Sequence, residues 1–132
     1  MKGLKGTIQK VASVKGVPSP RSSYSVYTRV GNLVFLAGQV AVDPVTKEIP
    51  KGFPEQVRMV MGSIQKTLES VGTSMENVLK TTVFLKSRSD LAVYDEIYRS
   101  YFKEGYPARS TVEAEMMHED FLIEIEAIAW IP

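Results

Sequence analysis

Apolar residues recur along this chain with two different periods, and the switches between them mark out its elements. Thr7 to Ser13, Ser25 to Val30 and Leu33 to Ala37 are short runs rich in β-branched and aromatic residues, as strands require. The last two flank Gly31-Asn32, which suits the primed turn of a hairpin because both residues tolerate positive φ. The period then changes. Val57, Met61, Ile64, Leu68 and Val71 are spaced by fours and threes, one stripe of a helix that Pro54 opens and Gly72 ends. Val78 to Lys86 returns to strand composition. Ser87 and Asp90 read as an N-cap pair for a second helix, with Leu91, Tyr94, Ile97, Tyr98, Tyr101 and Phe102 on its apolar side and Gly105 at its end. Strands at about Ser110 to Glu115 and Phe121 to Trp130 close the chain.

The order β-β-β-α-β-α-β-β predicts an α+β fold, a mixed six-stranded sheet with two helices on one face. The final strand is apolar on both sides. Ile123, Ile125, Ala127 and Ala129 alternate with Leu122, Ile128 and Trp130, which surround Glu124 and Glu126. Two helices cover only one face, so the second would be an exposed patch of the kind that marks an interface. We read it as covered by other subunits; a loop folded over it is the alternative. Gly16 to Ser23, and Asp43 to Glu48 with Pro50, Gly52 and Pro54 beyond, are rich in Pro, Gly and Ser. They read as loops within one domain spanning residues 1–132, not as linkers.

A length of 132 residues allows one core and not two. Lys plus Arg number 16 against 15 Asp plus Glu, and no dense basic stripe exists, so neither nucleic acid nor an anionic membrane is expected as a partner. The absence of cysteine excludes disulfides and thiolate chemistry. Met1 to Gly6 shows no apolar stretch of leader length, and the longest apolar run, Leu33 to Ala37, is far short of a membrane span. A soluble cytoplasmic protein is the expectation.

The single histidine, His118, lies in a polar turn and reads as a solvated loop residue, unable to build a metal cluster alone. There is no Gly-rich phosphate loop and no G-x-S-x-G elbow. Two features remain. Arg109 enters a strand in Pro107-Ala108-Arg109-Ser110-Thr111-Val112-Glu113, where its fork of donors calls for a carboxylate or phosphate. A structural salt bridge and a substrate clamp are both open. Glu124 and Glu126 share one strand face; they are either a solvated edge or buried acids with raised pKa, suited to proton transfer.

Those segments resemble the Rid (YjgF-type) family. Pro107 to Glu113 is similar to its P-A-R-S-x-V-E/A signature, and Ile123-Glu124-Ile125-Glu126-Ala127-Ile128-Ala129 to its C-terminal strand. Gly31 to Gln39 resembles its segment ending in S/A-G-Q, and Val78 to Leu85 its V-x-K-x-T-V strand. The matches keep the family's order and extend from about Tyr24 to Ile128.

The resemblance implies a chorismate-mutase-like α+β unit assembled as a homotrimer, with sites in the clefts between subunits. It implies cofactor-independent hydrolysis of reactive 2-imino and enamine acids, of the 2-aminoacrylate type, to 2-oxo acids and ammonia. Arg109 falls on the arginine that grips the substrate carboxylate, Glu124 on the glutamate that orients or activates water, and Tyr24 on a tyrosine lining the pocket. Thr111 holds a position often occupied by cysteine in the family. Glu126 reads as structural, paired with a basic side chain. Ser22-Ser23-Tyr24-Ser25 departs from the usual Gly-Pro-Tyr-Ser, and Asp95 replaces a common asparagine. Arg21 near the mouth leaves open an aminomuconate-type substrate with a second carboxylate. A non-catalytic ligand-binding or chaperone-like trimer also stays open. A ribonuclease ranks lower, for lack of basic surface.

Overall fold

The computed structural model describes residues 6–132, so the opening stretch read above for a leader lies largely outside the described residues. The elements follow the expected order: β1 (Gln9–Val11), β2 (Tyr27–Val30), β3 (Leu33–Val40), α1 (Phe53–Ser70), β4 (Val78–Leu85), α2 (Leu91–Arg99), β5 (Ala108–Glu113) and β6 (Ile123–Trp130). They form one mixed sheet in the order β1-β2-β3-β6-β4-β5. Only β4 and β5 pair in parallel, and α2 is the crossover between them. Of the hairpin dipeptide only Gly31 takes positive φ, at 57°, the pattern of a type II′ turn.

Both helices pack on the same face. Val57, Val60, Met61, Ile64 and Leu68 of α1 are fully buried against Val34, Leu36, Ile123, Ile125, Val83 and Leu85 of the sheet. Burial stabilises each such side chain by about 1.5–3 kcal/mol, so this stripe dominates the core. Gly72 ends α1 as expected, at φ 87°. Helix α2 is shorter than its apolar pattern, stopping at Arg99, with Tyr94 and Tyr98 fully buried but Leu91 exposed. The expected cap pair is half right. Ser87 Oγ accepts from the Ser89 amide in a 3₁₀ turn over Arg88–Asp90, whereas Asp90 makes no side-chain cap.

The important irregularity lies in β3. Leu36 pairs with Ala127 but Gln39 with Ile125, so the strand carries one extra residue opposite Glu126. Such a bulge reverses the alternation of side chains. Before it, even-numbered Val34 and Leu36 face the helices; after it, Gln39 and Ala41 are the buried ones. Ala37, Gly38 and Val40 are thereby turned to the face away from the helices. That open face also carries Phe35, Ile128 and Trp130, with Phe35 40% and Trp130 45% exposed. No loop among the described residues buries these two rings, so the apolar second face inferred from β6 is present and unburied in the single chain.

Candidate active site

Glu124 stands on the open face of β6, between Val40 of β3 and Phe84 of β4 in register. It lines a cavity of about 500 Å³ together with Pro18, Arg21, Tyr24, Gly38, Met117 and Phe121 among others. The bulge makes this hollow by turning a glycine toward the carboxylate. A Cβ on Gly38 would lie 2.1 Å from Glu124 Oε2. The wall segment carrying Phe121 is tied down by the buried Gln56 of α1. Its amide donates to the Asp120 carbonyl at 2.8 Å and its carbonyl oxygen accepts from the Leu122 amide at 2.9 Å. Burial, and secondarily the Glu126 carboxylate, push Glu124 above the ordinary carboxylate range. Glu124 is thus half-buried, between the two alternatives open for it. Glu126 is exposed and makes no ion pair among the described residues, contrary to the pairing expected for it.

Arg109 is placed elsewhere in the chain. It pairs in register with Thr81, two strands from β6 and three residues from the Phe84–Glu124 row. At ordinary sheet spacings this is about 14 Å in the plane of the sheet. Its side chain also lies on the helix face. Nη1 donates to Asp95 Oδ1 at 2.8 Å and to Tyr94 Oη at 3.4 Å, and the guanidinium carbon sits 5.2 and 5.1 Å from the Tyr94 and Tyr98 ring centres. So the structural salt bridge exists. It does not consume the arginine, because Asp95 also accepts from Arg99 at 3.1 Å and two cations share one carboxylate. Both bonds use Nη1, the side chain is about a quarter exposed, and it lines a second cavity of about 250 Å³ with Tyr106 and Pro107. The hydrogen bond from Arg109, helped by that from Arg99, holds Asp95 below its usual range against the opposing effect of burial.

The expected site residues thus fall into two groups. Tyr24 (52% exposed) and Glu124 share the large cavity; Arg109 and Thr111 stand two residues apart on β5, an edge strand. Thr111 Oγ1 is buried without a hydrogen-bond partner. His118 is a loop residue, as expected, its Nδ1 accepting from the Asp120 amide. Sequence reasoning missed Gly38, Asp95 as the partner of Arg109, and Lys47 in the cavity wall. Gly38 had a signal, since a glycine inside a strand pattern points to a bulge. No group of three or more His, Asp or Glu among the described residues could hold a metal ion, and no helix among them is long and apolar enough to cross a membrane.

A bulged six-stranded sheet with both helices on one face and a carboxylate cavity on the other defines the L-PSP/YjgF class of α+β proteins. The family model described as endoribonuclease L-PSP matches residues 15–131. A RutC family protein of Pyrococcus horikoshii is 43% identical over 124 residues, covering 93% of this chain and 98% of its own. The 2-iminobutanoate/2-iminopropanoate deaminase of Escherichia coli K12 is 33% identical over 125 residues, covering 92% and 98%. The crystal structure of RidA from the Antarctic bacterium Psychrobacter superposes with a TM-score of 0.88 at 33% identity, covering 93% of this chain and all of that one. The chain belongs to the Rid (YjgF-type) family.

Proposed function

We propose that the protein hydrolyses 2-imino acids and their enamine tautomers to 2-oxo acids and ammonia. The observation that carries this reading is Glu124, a partly buried carboxylate with raised pKa in a largely apolar cavity. It is supported by the E. coli relative named as an imino-acid deaminase. An imine carbon is already electrophilic, so the protein has mainly to place water and move its protons. Glu124 accepts one proton of a water molecule as its oxygen bonds to the C=N carbon. Glu124 returns that proton to the nitrogen, giving the neutral carbinolamine; it then takes the hydroxyl proton and hands it to the same nitrogen as the C–N bond breaks and the C=O bond forms. One imine and one water give one 2-oxo acid and one ammonia. General-base help of this kind contributes about 10²–10⁴ in rate.

In this reading Arg109 grips the substrate carboxylate through the edge not occupied by Asp95. Because it and Glu124 are separated within one chain, we take the site to be completed by a second copy. Arg109 stands on the sheet's edge strand, and the neighbour's open face supplies Glu124 and Tyr24. The unburied Phe35, Ile128 and Trp130 then become contact surface, and the assembly we propose is a homotrimer. Thr111 and Tyr24 line the completed pocket, the Thr111 hydroxyl offering an unused hydrogen-bonding group to the substrate. The test is ammonia release from 2-iminobutanoate generated in situ, with Glu124→Gln as control. The proposal requires acceleration over buffer that the variant loses; wild-type protein without acceleration would leave a ligand-binding role instead.

A further inference from the structure

We propose that the Glu124 cavity takes imino acids bearing a second anionic group, a side-chain carboxylate, bound by Lys47 and Arg21. This rests on the deaminase reading of the same cavity and narrows its substrate class. The first observation is a backbone one. Residues 43–48 form a tight turn in which the Asp43 amide donates to the Glu48 carbonyl at 2.8 Å and the Lys47 amide to the Asp43 carbonyl at 2.9 Å. Asp43 Oδ1 fixes the turn further, accepting from the Val45 and Thr46 amides at 2.8 and 2.9 Å. Lys47 closes it at φ 68°, the sole non-glycine among the described residues in the left-handed region. Glycine or asparagine suits that position, and a side chain there is held at a cost in backbone energy. The turn is secured mainly by Asp43; the lysine side chain adds one exposed hydrogen bond to it, from Nζ to the Pro44 carbonyl at 2.8 Å. What lysine also adds is a side chain in the wall of the Glu124 cavity.

The second observation concerns charge. Arg21 lines the same cavity, and neither cation has a carboxylate within 4.0 Å among the described residues. The Lys47 ammonium donates to the neutral Pro44 carbonyl at 2.8 Å. Asp43 commits its Oδ1 to the turn amides. Val40, Val42 and Phe121 give the same cavity an apolar wall. If Arg109 takes the α-carboxylate, a monocarboxylic imine leaves both cations without an anionic partner. A substrate with a hydrocarbon chain ending in an oxyanion engages acid, apolar wall and cations together. Charge-assisted bonds to such an oxyanion are the stronger class of hydrogen bond.

The test compares kcat/KM for imines generated by amino-acid oxidases from glutamate, 2-aminobutyrate and 2-amino-4-phosphonobutyrate. The enzymes are wild type, Lys47→Gly and Arg21→Ala. Lys47→Gly relieves the left-handed backbone and removes one exposed hydrogen bond, so a melting temperature close to wild type is expected. The proposal predicts that wild type prefers the dicarboxylic imine, and that each variant lowers the dicarboxylic-to-monocarboxylic ratio by about tenfold or more. An unchanged ratio in both variants overturns it. A phosphonate preferred over the dicarboxylate overturns the assignment of the anion as a carboxylate. Should wild type hydrolyse no imine at all, the deaminase reading fails and calorimetry with glutarate and butyrate decides separately. Glutarate binding weakened about tenfold by Lys47→Gly then supports the two-cation site, and equal binding of the two acids overturns it.

Discussion

Replacing Gly38 by alanine probes the geometry of the cavity without touching a charged group. The new Cβ would meet Glu124 Oε2 at 2.1 Å, Cδ at 2.9 Å and Cγ at 3.1 Å, where ordinary contact begins near 3.4 Å. The backbone at Gly38 does not take positive φ, so alanine itself is not strained there. Relief must come from the glutamate, whose oxygen has to retreat by about 1.3 Å, the gap between 2.1 and 3.4 Å. A carboxylate at the end of a flexible side chain can make that move at little cost to the fold. Catalysis is less tolerant, because a misplacement of about 1 Å in a positioned group can cost about 10²-fold in rate. We therefore expect Gly38→Ala to lower kcat for 2-iminobutanoate by about two orders of magnitude. Its melting temperature should stay within about 4 °C of wild type, the shift that about 1 kcal/mol gives. Parallel ammonia-release and thermal-melt measurements decide the matter. A well-folded Gly38→Ala protein with wild-type kcat would show that the position of this carboxylate is irrelevant, and Glu124 would lose its role.

The raised pKa of Glu124 has opposite consequences for activity and for stability. As a base it works ionised, so activity should decline on the acid side at a pH above the ordinary 4.5, and Glu124→Gln should remove that limb from its residual profile. An acid whose folded pKa exceeds its unfolded value withdraws stability as pH rises through that window. Glu124→Gln should thus melt higher than wild type at pH 7 and lose that advantage near pH 4; identical melts at both would contradict the burial argument. Gly62 lies inside α1 with nothing within 4 Å of a built Cβ. Gly62→Ala should stabilise the chain by about 0.5–1 kcal/mol in urea titrations, and a loss would mean that this helix face is in contact with something.

The helices, the hairpin and the apolar second face were legible because each depends on a local pattern. The stripe Val57-Met61-Ile64-Leu68 can face only one way on a helix, and Gly31-Asn32 suits only a few turns. Strand ends were less legible. β3 runs on to Val40, past the expected end at Ala37, because a bulge carries it through Gly38, and a bulge is a pairing event that one strand cannot announce alone. The candidate site was legible as residue types but not as an arrangement. Arg109 and Glu124 could be singled out from their segments and from family resemblance. Their separation follows from β4 lying between β5 and β6, a non-local fact. Asp95 was noticed only as a departure. Its bridging of Arg109 and Arg99 needs α2 to lie across β5. Lys47 had no sequence signal, because its unusual φ belongs to a turn set by Asp43.

The decisive measurement mixes two inactive proteins. Arg109→Ala and Glu124→Gln chains, denatured together in equal amounts and refolded, distribute at random among oligomers. If each site joins the guanidinium of one copy to the carboxylate of its neighbour, about one quarter of sites regain both groups, and activity should return to about that fraction of wild type. Mixtures as silent as the separate variants, despite proven co-assembly, would contradict a site shared between copies.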